Sequence, residues 1–157
     1  MTEQPNNGEQ PQTSLIGEMI RPGEMESIPE LLEFVASIER QKEISEARIK
    51  EIEVALKEIL ATIVKYSYSD RKGNISITCR NDHWGKLMVI IINTGEPFNI
   101  LLSDVTFIGE ESPVDNEKKA SAKLIKKMLD NIEFKKVEEE NIVTFLVSNT
   151  LRTVKRG

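Results

Sequence analysis

The sequence predicts an α+β fold, a two-layer α/β sandwich in which helices cover one face of a mostly antiparallel mixed sheet. Two consecutive segments carry apolar residues at helical spacing, the second and clearer one running from Ile49 to Ile63. Two pairs of short apolar segments joined by turns follow, which is typical of β-hairpins, and a third helical segment separates the pairs. With a short first strand, the predicted order is β-α-α-β-β-α-β-β.

Composition sets the domain organisation. Residues 1–14 are rich in Gln, Asn, Pro, Glu and Gly, so we expect a disordered tail, and residues 15–157 are too few for more than a single domain of ordinary size. A net charge of -5 without a dense basic block argues against nucleic-acid binding. The single cysteine, the missing leader pattern and the lack of an apolar stretch near 18 residues lead us to expect a cytoplasmic protein that does not enter a membrane.

The first strand and the two helices have recognisable ends. Leu15 to Arg21 alternates and stops at a Pro-Gly pair, which predicts a short strand at the sheet edge. Ser27 is placed to cap the first helix with its hydroxyl, and Ser45 to cap the second. Both serines precede apolar stripes of helical period, so each predicts where its helix begins.

The second half of the chain reads as hairpin, helix and hairpin. Leu87 to Ile92 is apolar on both faces, which predicts a central strand, and Cys79 alternates with isoleucines in its partner strand as a core residue. Glu117 to Asp130 is predicted to be helical, and Ile132 to Val137 with Ile142 to Asn149 to close the sheet. Phe98 to Asn116 has little regular pattern, so it is either a functional loop or a loosely packed one.

The turn after the central strand is the most informative motif. It reads Asn93-Thr94-Gly95-Glu96-Pro97-Phe98. This turn resembles the adenine-binding Asp-x-Gly-x-Pro-Phe turn of the bacterial anti-sigma factor serine kinases, a branch of the superfamily of histidine kinases and Hsp90-like ATPases. The element order from Ile28 to about Leu151 is similar too. An ordinary strand-to-loop turn built from Asn, Gly and Pro is the alternative for this stretch alone.

The resemblance implies roles for two residues of this turn. Asn93 would accept a hydrogen bond from the adenine amino group, and Gly95 would allow the purine to approach the backbone. Because Asn93 lacks the charge of the family's Asp, we expect a loss on the order of 1 kcal/mol, about tenfold in affinity. This substitution alone weakens ATP binding without abolishing it.

The second helix carries the next candidates. The resemblance places Glu58 where the family has its catalytic Glu, a base for the attacking hydroxyl, and Thr62 where the family has the Asn that binds Mg²⁺. Residues four apart share one helix face, so both side chains can line a pocket. The alternative is that Glu58 and Thr62 belong to the solvated side of an amphipathic helix. Lys65 is open to the same two interpretations.

The third motif is the glycine-rich lid that holds the triphosphate in this family. Its glycine positions fall on residues 118–122, and none of these residues is glycine. Lys118, Lys119 and Ser121 remain candidate phosphate contacts, although lysines near a helix start are usually solvated surface. Side chains at glycine positions block a close approach of phosphate, so the lid argues against efficient ATP turnover.

Two functions follow from this comparison. The first is a regulatory protein resembling anti-sigma kinases that acts by protein–protein binding with a weakened or lost ATP site. Its partner would be a sigma factor or an antagonist protein, and the resemblance also implies a homodimer. The alternative is an active ATP-dependent protein serine kinase with Mg²⁺, in which Glu58 is the base. His83 is the only histidine, which excludes a His-rich metal site.

Overall fold

The structure, a computed structural model, describes residues 14–68, 72–95 and 122–152. Its strands and helices follow the predicted order: β1 (Ser14–Pro22), α1 (Ile28–Gln41), α2 (Glu46–Thr62), β2 (Asn74–Asn81), β3 (Leu87–Asn93), a helix α3 seen over residues 122–128, β4 (Asp130–Val137) and β5 (Glu140–Val147). A 3₁₀ turn, Met25–Ser27, leads into α1, and a π-helical turn, Ile63–Ser67, continues α2. No helix among these residues is long and apolar enough to cross a membrane.

The five strands form one sheet in the order β1-β2-β3-β5-β4, and each neighbouring pair is antiparallel. The predicted central position of β3 and edge position of β1 are therefore confirmed. The α+β fold with two layers is confirmed as well.

One face of the sheet forms the core with the helices. Alternate residues of β2, β3 and β5 are buried, so that Ile77 pairs with Ile91, and Ile91 pairs with Val143, on the same face. Cys79 is fully buried in this row, as its alternation with isoleucines predicts. The apolar stripe of α2 packs on it, with Ile49, Ile52, Leu56, Ile59, Leu60 and Ile63 all buried.

The two predicted caps have different outcomes. The Ser45 hydroxyl accepts a hydrogen bond from the backbone N–H of Arg48 at 3.2 Å, which confirms the cap of α2. The predicted cap of α1 is wrong, because the Ser27 side chain makes no capping hydrogen bond. Its backbone is already helical (φ -82°, ψ -17°), whereas a capping residue is typically extended. The chain enters α1 through the 3₁₀ turn instead.

Strand boundaries differ from the predictions by one or two residues. β1 begins at Ser14, which pairs with Asn81, so the predicted tail extends one residue too far. β4 begins at Asp130 and not at Ile132, with an irregularity in its pairing before Glu133. That irregularity disturbs the alternation from which the strand start was predicted.

Candidate functional site

Two paired asparagines lie at the end of the core, where β3 stops. Asn93 is the last residue of β3 and Asn141 lies opposite it on β5. Both side chains share the face of the sheet that the helices cover, and they are 3% and 2% exposed. The row of apolar pairs between β3 and β5 therefore ends in a pair of buried amides.

The hydrogen bonds of this pair are incomplete. The Asn141 Nδ2 donates to the carbonyl of Gly95 at 3.1 Å. Within the described residues, the Asn93 Nδ2 and the Asn141 Oδ1 have no hydrogen-bond partner. A buried polar atom without a partner costs about 1–3 kcal/mol, so such atoms mark a place where a ligand gains by supplying the missing partner. The site offers one donor and one acceptor, which matches the edge of a purine.

Gly95 sits tightly against the end of the π-helical turn. A Cβ atom at residue 95 would lie 2.5 Å from the backbone oxygen of Ser67 and 2.7 Å from the Tyr68 Cε1. No real Cβ tolerates such distances. The close backbone approach expected at this glycine is therefore made by the protein's own chain.

Tyr68 joins the turns that surround it. Its ring also lies against Gly23 and Gly73, where a Cβ atom would collide with the ring as well. Its hydroxyl donates a hydrogen bond to the carbonyl of Asn74 at 2.7 Å and accepts one from the backbone N–H of Thr94 at 3.0 Å. Sequence reasoning gave Tyr68 no specific role, because aromatic residues at helix ends normally cover the core, and Tyr68 is 7% exposed within the core cluster.

The candidate residues on α2, Glu58 and Thr62, precede the π-helical turn in the chain. Thr62 is the last residue of α2 and is 8% exposed, so the solvated-face interpretation is wrong for it. Glu58 is half-buried, and Lys65 in the π-helical turn is exposed. Single π-helical turns occur often at functional sites, because they redirect the side chains that follow. Here the turn brings Ser67 and Tyr68 against Gly95.

A family model described as the histidine kinase-like ATPase domain matches residues 22–147. The chain belongs to this family. The match spans most of the sequence and includes every candidate residue from Glu58 to Ser121. It confirms the predicted superfamily, while membership of the anti-sigma branch stays a prediction. No curated protein matches the chain.

The site of this histidine kinase-like ATPase domain has some features that suit ATP and Mg²⁺ and others that do not. The buried amides of Asn93 and Asn141 suit a purine edge, and the space beside Gly95 is already filled. Thr62 offers a neutral hydroxyl where the resemblance puts the metal ligand, and Mg²⁺ is usually held through carboxylates and phosphates. Among the described residues no group of three or more His, Cys, Asp or Glu can hold a metal ion.

The lid candidates lie outside the described residues. These are Lys118, Lys119 and Ser121, together with the segment from Phe98 to Asn116 and the Glu96-Pro97 part of the turn. Asn141 is the residue that sequence reasoning missed at this site. The sequence does contain an indication of it: Asn141 is a polar residue that continues the every-second-residue pattern of Val143, Phe145 and Val147, so it lies on the buried face of β5.

Proposed function

We propose that this histidine kinase-like ATPase domain is a regulatory protein that acts by binding another protein, and that its nucleotide site is weakened. The observation that carries the proposal is the packing of Ser67 and Tyr68 against Gly95. The resemblance implies a glycine here for the approach of a purine, whereas the contacts with Ser67 and Tyr68 already require a residue without a Cβ. Asn93 lacks the charge of the Asp that the resemblance implies, and Thr62 offers a shorter hydroxyl side chain in place of the implied Asn, so both differences point in the same direction.

The partner follows from the resemblance to anti-sigma factor serine kinases. The six-residue turn from Asn93 to Phe98 and the order of elements support this branch of the family. A sigma factor, or an antagonist protein that competes with it, is the partner that we propose. The tests are direct titrations of the full chain with purified sigma factors, in the presence and absence of nucleotide. Saturable binding that does not depend on ATP is the expected result.

An active ATP-dependent serine kinase is the second candidate, and one observation favours it. The Nδ2 donor of Asn93 and the Oδ1 acceptor of Asn141 have no partner among the described residues, and adenine can satisfy both through its ring nitrogen and amino group. In that function Glu58 is the base, Thr62 stands at the Mg²⁺ position, and Lys118, Lys119 and Ser121 contact the phosphates.

Calorimetric titration with ATP and ADP, with and without Mg²⁺, separates the two functions. If the protein acts by binding another protein, we expect the nucleotide titrations to give little or no heat. Micromolar nucleotide binding that depends on Mg²⁺ would contradict the proposal that the nucleotide site is weakened. Asn93→Asp restores the family's carboxylate: affinity should rise about tenfold if residue 93 accepts from the adenine amino group, as the resemblance implies, and should fall if adenine uses the Nδ2 donor of Asn93. Asn149→Asp is the matched control, because Asn149 is exposed and bonds the backbone of Ser45 at the other end of α2. Phosphotransfer that Glu58→Gln abolishes would establish the kinase.

A further inference from the structure

The side-chain amide of Asn141 has a fixed orientation. Its Nδ2 donates to the carbonyl of Gly95 at 3.1 Å, and the reverse orientation would place two carbonyl oxygens against each other. The Asn141 Oδ1 is therefore an acceptor, and it is buried without a partner among the described residues. Asn93 lies opposite Asn141 on β3, and its buried Nδ2 lacks a partner in the same part of the chain. The pair thus presents one N–H donor from β3 and one carbonyl acceptor from β5.

The groups around this pair are apolar or already bonded. Three buried aliphatic residues flank it in the strand register: Ile75, Ile91 and Val143. The backbone N–H of Thr94, the next residue after Asn93, donates to the Tyr68 hydroxyl at 3.0 Å. In apolar surroundings a hydrogen bond is stronger than in water, and an unpaired polar atom costs more. A ligand is therefore selected by how well it matches the donor of Asn93 and the acceptor of Asn141.

We infer that this site binds a 6-oxopurine, the class of bases that includes hypoxanthine and guanine, in preference to adenine. A 6-oxopurine carries a carbonyl group at C6 beside an N–H group in the ring, and together they form a cyclic amide. The carbonyl accepts from the Asn93 Nδ2, and the ring N–H donates to the Asn141 Oδ1. Both bonds then join an amide N–H to an amide carbonyl, as backbone hydrogen bonds do.

Adenine satisfies the same two atoms less well. Its acceptor is an aromatic ring nitrogen, which accepts more weakly than an amide carbonyl, and its amino group is less acidic than the ring N–H of a 6-oxopurine. The placement that suits an Asp, with the adenine amino group at residue 93, puts two N–H donors against each other here. We therefore expect a preference of about tenfold for the 6-oxopurine.

This inference rests on the proposed function, because it concerns the nucleotide site that is proposed to be weak for ATP. A preference for a different base gives a physical reason for that weakness. The two proposals fail separately. Titration with sigma factors tests the binding protein, whereas the base preference is tested by two nucleotides that share their ribose and phosphates.

The test is calorimetric titration of the full chain with inosine diphosphate and with ADP, at one Mg²⁺ concentration. The two nucleotides differ only in the group at C6 and in the proton on the adjacent ring nitrogen. All contacts with ribose and phosphate are therefore common to both. We expect inosine diphosphate to bind about tenfold more tightly than ADP. Equal affinity, tighter binding of ADP, or no binding of inosine diphosphate up to millimolar concentration would overturn the inference.

Asn93→Asp tests the donor directly, because it replaces the N–H group with a carboxylate that repels the C6 carbonyl. The affinity for inosine diphosphate should fall at least about tenfold in this variant. Asn149→Asp is the matched control and should keep the preference of the wild type, since the Asn149 Oδ1 bonds the backbone of Ser45 at the other end of α2. Circular dichroism shows whether each variant is folded, and the wild-type comparison requires no variant.

The remaining outcomes separate this inference from the proposed function. Undiminished binding of inosine diphosphate by folded Asn93→Asp would overturn the inference, because Asn93 would then not hold the base. If ATP binds at micromolar concentration and inosine diphosphate is still preferred to ADP, the weakened site is wrong and the base preference stands. If sigma factors bind and inosine diphosphate does not, the proposed function stands and the base preference is wrong.

Discussion

The hydroxyl of Tyr68 accepts a hydrogen bond from the backbone N–H of Thr94 at 3.0 Å. This bond connects the end of the π-helical turn, which directly follows the candidate Thr62, to the turn after β3, which the family resemblance assigns to adenine binding. The next residue, Gly95, packs against the ring of the same tyrosine. The turn after β3 is thus part of the packing of the domain, and its residues stabilise the fold without a bound ligand.

Replacement of Gly95 by alanine should destabilise the protein. The new Cβ would lie 2.5 Å from the Ser67 backbone oxygen, which cannot move away as a flexible side chain can. We expect a loss of about 1–3 kcal/mol in the free energy of unfolding, the usual cost of overpacking, measured by urea denaturation. Gly17→Ala is the control, because its Cβ would make ordinary contacts at 3.5 Å with the ring of Phe34. Equal stability of the two variants would contradict this account of Gly95.

The fold was largely predictable from the sequence because apolar periodicity is kept in α2 and in the strands that form the core. The stripe of α2 and the alternation of β2 predicted their buried residues correctly, and the apolar character of both faces of β3 predicted its central position. Where the pattern is locally disturbed, prediction was weaker. The first turn of α1 is an example, because the backbone of Ser27 is already helical and no residue type signals that geometry.

The candidate site was predictable only in part. The sequence motif identified Asn93 and Gly95, since they lie two residues apart in one turn. It did not identify Tyr68 or Asn141, which reach the same place through the π-helical turn and the register of β5 with β3. Contacts between distant segments are set by the packing of the whole domain, and a single sequence carries little local signal for them.

The Arg48 side chain should be among the most important in the protein for stability. It is fully buried, its Nη1 lies 3.0 Å from the Glu51 Oε1, and its Nε donates to the carbonyl of Ser148 at 2.8 Å. Arg48→Met removes the positive charge beside the buried Glu51 carboxylate, which keeps hydrogen bonds from the backbone N–H of Arg152 at 2.9 and 3.1 Å, so it should lower the free energy of unfolding by about 3–5 kcal/mol. Urea denaturation measures the loss.

The control for this prediction is Arg40→Met. Arg40 is exposed, and its Nε lies 2.9 Å from the Glu46 Oε2, a distance similar to that of the buried pair. An exposed ion pair contributes about 0–1 kcal/mol because water screens the charges. Comparable losses for the two variants would show that burial does not decide the contribution of Arg48.

The thiol of Cys79 should react slowly with thiol reagents in the native protein. Burial, and to a lesser degree the charge of Glu39, raise its pKa to about 12, so almost no thiolate is present near neutral pH. The thiolate is the reactive form, and the side chain is fully buried. Labelling with a disulfide reagent should therefore proceed only as the protein unfolds and should accelerate with urea. Rapid labelling without denaturant would mean that β2 is exposed in solution.

The carboxyl group of Glu39 should make the stability depend on pH. It is 1% exposed, and burial raises its pKa from 4.5 to about 8. Arg48 and Arg40 oppose the shift, while Glu53 and Glu46 add to it. Between these two pKa values the folded protein holds a proton that the unfolded chain has released. The free energy of unfolding should therefore fall as pH rises from 4.5 to about 8, and this contribution should stay constant at higher pH.

Urea denaturation across this pH range, for the wild type and for Glu39→Gln, measures the effect. The slope is at most about 1.4 kcal/mol per pH unit for one group, and Glu39→Gln should remove it because an amide does not titrate. Glu33→Gln is the control, since Glu33 lies on the same helix with its side chain 69% exposed and should keep the slope of the wild type. If Glu39→Gln instead retains the full slope, the proton responsible is bound elsewhere, and Glu39 is ionised within the core with Arg48 as its main compensating charge.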